Sequence, residues 1–254
     1  MSAPSLGIWW DGRHVADIRQ GRRGLDLTYT TDAIERWPGN APVLSCSLPL
    51  GRRPMDGTWF ARGLLPEGQA LASAAARAGV AATDTLGLLA AYGRDVAGAL
   101  VIAESPPAER IGDVVPYGPS DLDDEVARLA ENPLGLHDDS ELSLAGLQDK
   151  LLLVGTPDAG WGRPRHGSPS THILKADDLR RPGLVRAEGA ALHLARMLGL
   201  TTVDATLEAH ADRECLIVSR FDREVRDGVV RRLHQEDLCQ ATATDLSMGR
   251  GRGK

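Results

Sequence analysis

The chain has 254 residues, 29 of them Lys or Arg and 35 Asp or Glu, for a net charge of −6, and 42% are apolar. That length allows one large domain or two smaller ones with ample core, and the acidic balance argues against broad non-specific binding to nucleic acid, so a direct DNA-binding role is not expected. No apolar run approaches the roughly 18 to 20 residues of a membrane span and no signal-like segment opens the chain, so a cytoplasmic protein without a membrane partner is expected. Cys46, Cys215 and Cys239 are too scattered for a disulfide frame or zinc knuckle and read as reduced core residues.

Residues 6–10 and 15–18 flank Asp11-Gly12, so a hairpin opens the chain, and strand-like runs at 25–30 and 43–48 extend a small sheet. Residues 66–78 form an Ala-rich helix closed by Gly79, and residues 83–92 form another with Thr83 as its cap and Gly93 behind it. A strand returns at 98–103. Residues 104–119 then hold four prolines and two glycines and read as a linker or long loop.

The domain boundary therefore falls there. Residues 1–104 are a first, β-rich and helical subdomain, 105–119 the linker, and 120–240 a second unit. Residues 241–254, small, polar and basic without periodicity, are a disordered tail. In the second unit Ser120 caps an acidic helix over 121–131, whose Asp121, Asp123, Asp124 and Glu125 suit its positive end. This carboxylate run and His137-Asp138-Asp139 invite a metal reading, but both read as solvated turns and no metal ligand is assigned.

Strands at 150–154 and 171–175 flank a Gly/Pro-rich connection. A helix over 185–198, with Ala191, Leu194 and Leu198 as one apolar stripe, ends at Gly199. Strands at 205–209, 214–219 and 229–233 follow, the last after an Asp227-Gly228 turn. The fold class is α+β.

The organising stretch is 143–154, S-L-A-G-L-Q-D-K-L-L-L-V, taken with T-H-I-L-K at 171–175. A small-residue turn, an amide, a lysine and an apolar strand, then a second strand ending in lysine, suit closure over a nucleotide's phosphates. The alternative is a surface turn feeding a core strand, with Lys150 and Lys175 as solvated strand ends. Neither the P-loop nor the dinucleotide-fold glycine spacing is present.

The segment S-L-A-G-L-Q-D-K at 143–150 resembles the S-x-x-G-x-Q-x-K segment of HipA-family serine/threonine kinases, the toxins of bacterial toxin–antitoxin pairs. L-L-P-E-G at 64–68, S-T-H-I-L-K at 170–175, S-R-F-D-R at 219–223 and H-Q-E-D-L-C-Q at 234–240 match the same family in order. The resemblance implies a kinase-like N-terminal lobe after the first subdomain, an antiparallel sheet plus one helix. The order strand, strand, helix, strand, strand agrees with it as a fold-level analogy.

ATP and Mg2+ are the implied cofactors. Ala145, Gly146, Leu147, Gln148, Asp149 and Lys150 would form the loop over the phosphates, and Lys175 would meet the α- and β-phosphates. Glu188 would orient Lys175 as an ion pair, its alternative being an exposed helix residue. The backbone of Ser219, Arg220 and Phe221 would meet the adenine; relatives often carry Glu where Ser219 stands, and Phe221 also reads as a core aromatic. Ser143 matches the autophosphorylated serine, where added negative charge would repel ATP phosphates and could expel the loop. The partners implied are a helix-turn-helix antitoxin and a protein substrate such as an aminoacyl-tRNA synthetase.

The family's catalytic aspartate lies in a D-x-H-x-K-N segment with a magnesium-binding aspartate beyond it, and the 254 residues contain no D-x-H-x-K-N. No catalytic residue is therefore assigned, the C-terminal lobe is expected to be missing, and the chain alone is expected to be inactive as a kinase. The alternative is a non-catalytic interaction module that binds an antitoxin or a separate kinase subunit. An unrelated nucleotide-binding enzyme would need its own acid–base constellation, and the scattered histidines supply none.

Overall fold

In the computed structural model the described residues are 5–106, 113–146, 148–178, 180–226 and 229–244. β1 (Ser5–Trp10) and β2 (Arg13–Gln20) form the opening hairpin. Asp11 and Gly12 between them take φ of +50° and +72°, the left-handed pair that matches the twist of paired strands in a two-residue turn. β3 (Leu25–Tyr29) pairs with β2, and α1 (Thr31–Arg36) follows, the Thr30 hydroxyl accepting from the Ala33 N–H.

The strand expected at 43–48 is not formed. Val43, Leu44 and Leu48 are buried, but only a Ser45–Leu48 bridge joins the segment, and its polar groups bond instead to residues 234–240. The sheet edge is β4 (Met55–Asp56), followed by α2 (Thr58–Arg62), α3 (Gly68–Ala78) with Gly79 beyond it at φ +68°, and α4 (Thr85–Tyr92). The cap of α4 is Asp84 rather than Thr83: its carboxylate reaches the Gly87 N–H at 2.9 Å. β5 (Leu100–Ala103) completes an antiparallel sheet of order β4-β3-β2-β1-β5.

The expected linker is partly sheet, since β6 (Val114–Pro116) is an edge strand of the second sheet; its residues 107–112 lie outside the described residues. α5 (Asp121–Arg128) starts without a bond from Ser120, and the Asp121 carboxylate instead accepts from the Gly118 N–H at 2.7 Å. β7 (Lys150–Thr156), β8 (Gly160–Pro164) and β9 (His172–Ala176) follow. β8 occupies part of the supposedly irregular connection. Gly155, at φ +137°, allows the hairpin, because a Cβ there would stand 2.1 Å from the Gly160 carbonyl oxygen.

α6 (Leu184–Met197), β10 (Ala205–His210) and β11 (Arg213–Ser219) complete a six-stranded antiparallel sheet of order β10-β11-β9-β7-β8-β6. β12 (Arg223–Arg226), not anticipated, pairs with β13 (Val229–Arg232), and the Asp227-Gly228 turn lies outside the described residues. α7 (Leu238–Ala241) runs one residue into the expected tail, of which 245–254 lie outside the described residues.

Side chains alternate across the second sheet. Leu151 and Leu153 of β7, Leu174 and Ala176 of β9, and Cys215 and Ile217 of β11 join Leu122, Val126 and Leu129 around α5 in one core. On the opposite side Leu152 and Ile173 pack into the larger core built on the first sheet, which also takes Leu134, Leu136 and Leu142. The two halves thus share a core.

α6 lies on that same opposite side, but not by the expected stripe. Val185 is buried, and a Cβ on Gly189 would stand 3.1 Å from Leu216, whereas Ala191, Leu194 and Leu198 are exposed. The helix has apolar residues on two faces, so period alone did not choose between them. Cys215 is buried as expected; Cys46 is exposed, a correction that follows from residues 43–48 not being a strand.

Candidate functional site

β7 and β9 pair so that Lys150 and Lys175 are direct Cα partners, on the side of the sheet under α6. Like charges directly opposite repel. Lys150 is 5% exposed, its backbone held by the Pro133 carbonyl at 3.0 Å and its ammonium donating to the Ala145 carbonyl at 2.6 Å. Burial pushes the Lys150 pKa down to about 8; Lys175 pushes the same way, against the pull of Glu67, Glu188 and Asp149. Gly146, at φ +113°, arches over it, and a Cβ there would come within 2.8 Å of the Lys150 ammonium. Lys175 bonds Glu188 on α6 at 2.5 Å.

The helix carrying Glu188 is tethered to the strand carrying Lys175. Gly183, the residue before α6, offers no side chain, and the buried carboxylate of Asp177, just past β9, takes its place. It accepts from the N–H groups of Gly183, Leu184 and Val185 at 2.5, 3.1 and 3.4 Å, an N-cap supplied from a distance. Arg213 holds the Asp177 carbonyl at 2.7 Å and lies 3.8 Å from Asp149, whose carboxyl burial pushes up in pKa despite that guanidinium.

Ser143 is buried, with its hydroxyl on the Leu64 carbonyl at 2.9 Å and its N–H on the Asp95 carbonyl at 3.0 Å. Gln148 is half-buried, and Leu147 lies outside the described residues. Ser219 pairs with Asp204 through backbone and hydroxyl. Phe221 is 64% exposed, so it is not a core aromatic.

The side chain of Arg220 points into a buried ionic cluster that sequence reasoning missed. At its centre is Asp95, 1% exposed, between α4 and β5. Its carboxylate accepts from the Ser170 hydroxyl at 2.7 Å and from Arg223 at 2.9 Å, with Arg220 and Arg232 each 3.6 Å away. Burial alone would push the Asp95 pKa up, but the three guanidiniums and Ser170 hold it at about 2. Asp222 binds Arg220 at 2.7 Å and the Gly98 N–H at 2.7 Å. The cluster ties S-R-F-D-R and the start of S-T-H-I-L-K to the first sheet. Its sequence signal is an aspartate and an arginine, Arg94-Asp95, interrupting an otherwise small and apolar stretch.

The segment 234–240 docks on the first half as well. Gln240 donates to the Phe60 carbonyl at 2.9 Å and its carbonyl accepts from Ser47 at 2.7 Å, while Glu236 accepts from the Cys46 N–H at 2.8 Å and His234 meets the Leu44 carbonyl at 2.9 Å. Among the described residues no group of three His, Cys, Asp or Glu could hold a metal ion. His137 bonds Glu125, Asp138 bonds Arg77 and Asp139 bonds Arg163, which accounts for that triplet. Also among the described residues, no helix is long and apolar enough to cross a membrane.

Comparison with known proteins bears on this arrangement. The family model described as the HipA N-terminal domain matches residues 6–103, and that described as the HipA-like C-terminal domain matches residues 142–251. The chain belongs to the HipA family. It is 35% identical over 255 residues to "Putative kinase Y4mE" of Sinorhizobium fredii, covering 95% of this chain and 60% of that protein. It is 28% identical over 250 residues to "Serine/threonine-protein kinase toxin HipA" of Shewanella oneidensis, covering 92% and 55%.

The solved complex of Shewanella oneidensis HipA, HipB and operator DNA contains a chain that superposes with a TM-score of 0.69 at 25% identity, covering 95% of this chain and 57% of that one. The chain therefore spans little more than half the length of these relatives. The expectation of a missing C-terminal lobe meets a chain whose residues 142–251 match the C-terminal family model.

Proposed function

We propose that the chain is the ATP-handling part of a HipA-type toxin, a cytoplasmic ATP-dependent protein serine/threonine kinase that works with a helix-turn-helix antitoxin and meets DNA only through it. The observation that carries this reading is the lysine pair. Glu188 answers the Lys175 ammonium, yet burial beside Lys175 still holds the Lys150 pKa down at about 8, and a triphosphate would bring further negative charge to both lysines.

Lys175, steadied by Glu188, would meet the α- and β-phosphates, and Lys150 with the 145–150 backbone would close over them. Backbone of 219–221 would face the adenine, the Arg220 side chain being committed to Asp95 and Asp222. Magnesium would neutralise the phosphates when bound; the described residues show no cluster to hold it, so no step is assigned to it. Phosphate on Ser143 would need that hydroxyl to leave the Leu64 carbonyl, which moves the loop away from Lys150.

Transfer to a protein such as an aminoacyl-tRNA synthetase also needs an acceptor-side base, and D-x-H-x-K-N is not in the 254 residues. A second reading, in which this polypeptide acts as an interaction module for an antitoxin or a separate kinase subunit, draws on the likeness to a chain solved together with HipB and operator DNA.

Calorimetry with a non-hydrolysable ATP analogue tests the first reading. Binding is expected to weaken at least about tenfold in Lys175→Ala, in line with loss of a charged hydrogen bond; absence of binding by the wild-type chain refutes the nucleotide site. The 254-residue chain alone is expected to transfer no phosphate to protein. Label transfer lost in Lys175→Ala would overturn that.

A further inference from the structure

A sheet edge exposes unpaired backbone groups, and folded chains blunt such edges with short strands, prolines, bulges or covering segments. The two large sheets here end in β4, β5, β6 and β10. β4 has two residues, and β6 has three and ends in Pro116. β5 has all four residues buried, with the Ile102 N–H taken by the Gly93 carbonyl at 2.8 Å. Among the described residues β10 has none of these protections. Its six residues, Ala-Thr-Leu-Glu-Ala-His, pair with β11 in unbroken register and include no Pro or Lys.

The Ser219 N–H donates to the Asp204 carbonyl at 2.8 Å, which sets the alternation along β10. Residues 204, 206, 208 and 210 bond inward to β11, so the N–H and C=O groups of Ala205, Leu207 and Ala209 point outward. Among the described residues nothing bonds to them. Leu207 is 42% exposed on the α6 side of the sheet, beside a groove lined by Leu192, Arg196, Met197, Val203 and Asp204.

We propose that β10 pairs antiparallel with β10 of a second copy of this chain about a two-fold axis at Leu207, joining two six-stranded sheets into one. An isologous contact must be self-complementary, and this edge is. Of the three outward residues, the central one is where a dyad engages all three on both copies. That register sets Leu207 opposite Leu207, Ala205 opposite Ala209, Thr206 opposite Glu208 and Asp204 opposite His210. No like charges face each other, an acid meets a histidine and a carboxylate meets a hydroxyl. Both Leu207 side chains lie on the α6 side, so pairing also removes apolar surface from water there.

Sedimentation equilibrium of the 254-residue chain under reducing conditions tests the pairing. A monomer–dimer equilibrium is expected in the wild type. Leu207→Pro deletes an outward N–H and leaves the β10–β11 ladder intact, as prolines on edge strands do. Leu207→Lys sets two ammonium groups against each other at the dyad, and each change is expected to weaken dimerisation at least about tenfold. Circular dichroism reports whether the variants fold, and if the proline variant does not, the lysine variant at this exposed position decides. A wild-type chain that stays monomeric to high concentration assigns the edge to a different partner and overturns the proposal. So does a dimer of unchanged affinity in a folded Leu207 variant.

Discussion

Replacing Lys150 with methionine is expected to stabilise the fold while removing a charge from the candidate phosphate site. In the folded chain burial, reinforced by Lys175 on the adjacent strand, lowers the Lys150 pKa from 10.5 to about 8. At about 1.36 kcal/mol per unit, holding the group protonated at neutral pH costs folding roughly 3 kcal/mol. The folded state binds fewer protons than the unfolded between the two pKa values. The penalty is therefore full below about pH 8 and fades as pH rises from there toward 10.5.

Methionine has similar length without charge but leaves the Ala145 carbonyl without its donor, which offsets about 1 kcal/mol. A net gain of about 2 kcal/mol at neutral pH follows. Urea unfolding at about pH 7 and about pH 9.5 reads both parts, because the wild type should gain stability on Lys150 over the variant as pH rises and the gap should narrow. A Lys150→Met chain less stable than wild type at neutral pH, or a gap independent of pH, would refute the reasoning.

Asp95→Asn is expected to cost about 3–5 kcal/mol in chemical unfolding, since it leaves three buried guanidiniums around a neutral amide; a loss under about 1 kcal/mol would show the cluster to be better solvated than its burial implies. The same carboxyl, with a folded pKa of about 2 against 3.8 unfolded, contributes stability that is present above about pH 4 and lost as pH falls through about 2, so the wild type should show an acid transition in that window that Asp95→Asn lacks. Asp177→Ala removes the acceptor for the first N–H groups of α6 and is expected to cost about 1–2 kcal/mol, with faster amide exchange at residues 183–185 than elsewhere in the helix. Uniform protection across α6 in that variant would deny Asp177 its capping role.

Strands and the opening hairpin were legible because their signals are local. Asp11-Gly12 carries its own turn chemistry, and Leu151, Leu153, Leu174 and Ala176 alternate within single strands. Lys150 and Lys175 could be singled out from short motifs, although their direct pairing across β7 and β9 is a matter of register that spacing does not give. Features set at long range were not legible.

Asp95 finds Ser170 75 residues away and Arg223 128 residues away, so nothing beside it in sequence announces its partners. The 43–48 run has strand composition but meets residues 190 and more positions later, and those contacts override its propensity. The stripe chosen on α6 failed for a different reason. Apolar residues occur on both of its faces, and only Gly189, small enough to approach Leu216, marks the one that packs.

The grip of Gln240 on Ser45, Ser47 and Phe60 has a consequence for how the chain is made. The first sheet is complete as sequence at Ala103, yet the segment beside it has its lasting partners roughly 140 residues further on. At about 5–20 residues per second, synthesis leaves that face uncovered for on the order of 7 to 30 seconds. A nascent first half thus emerges with Val43–Leu48 and the Trp10 surface still open, a natural target for chaperones. A gene split at the Pro-rich stretch would yield two pieces that need each other to fold.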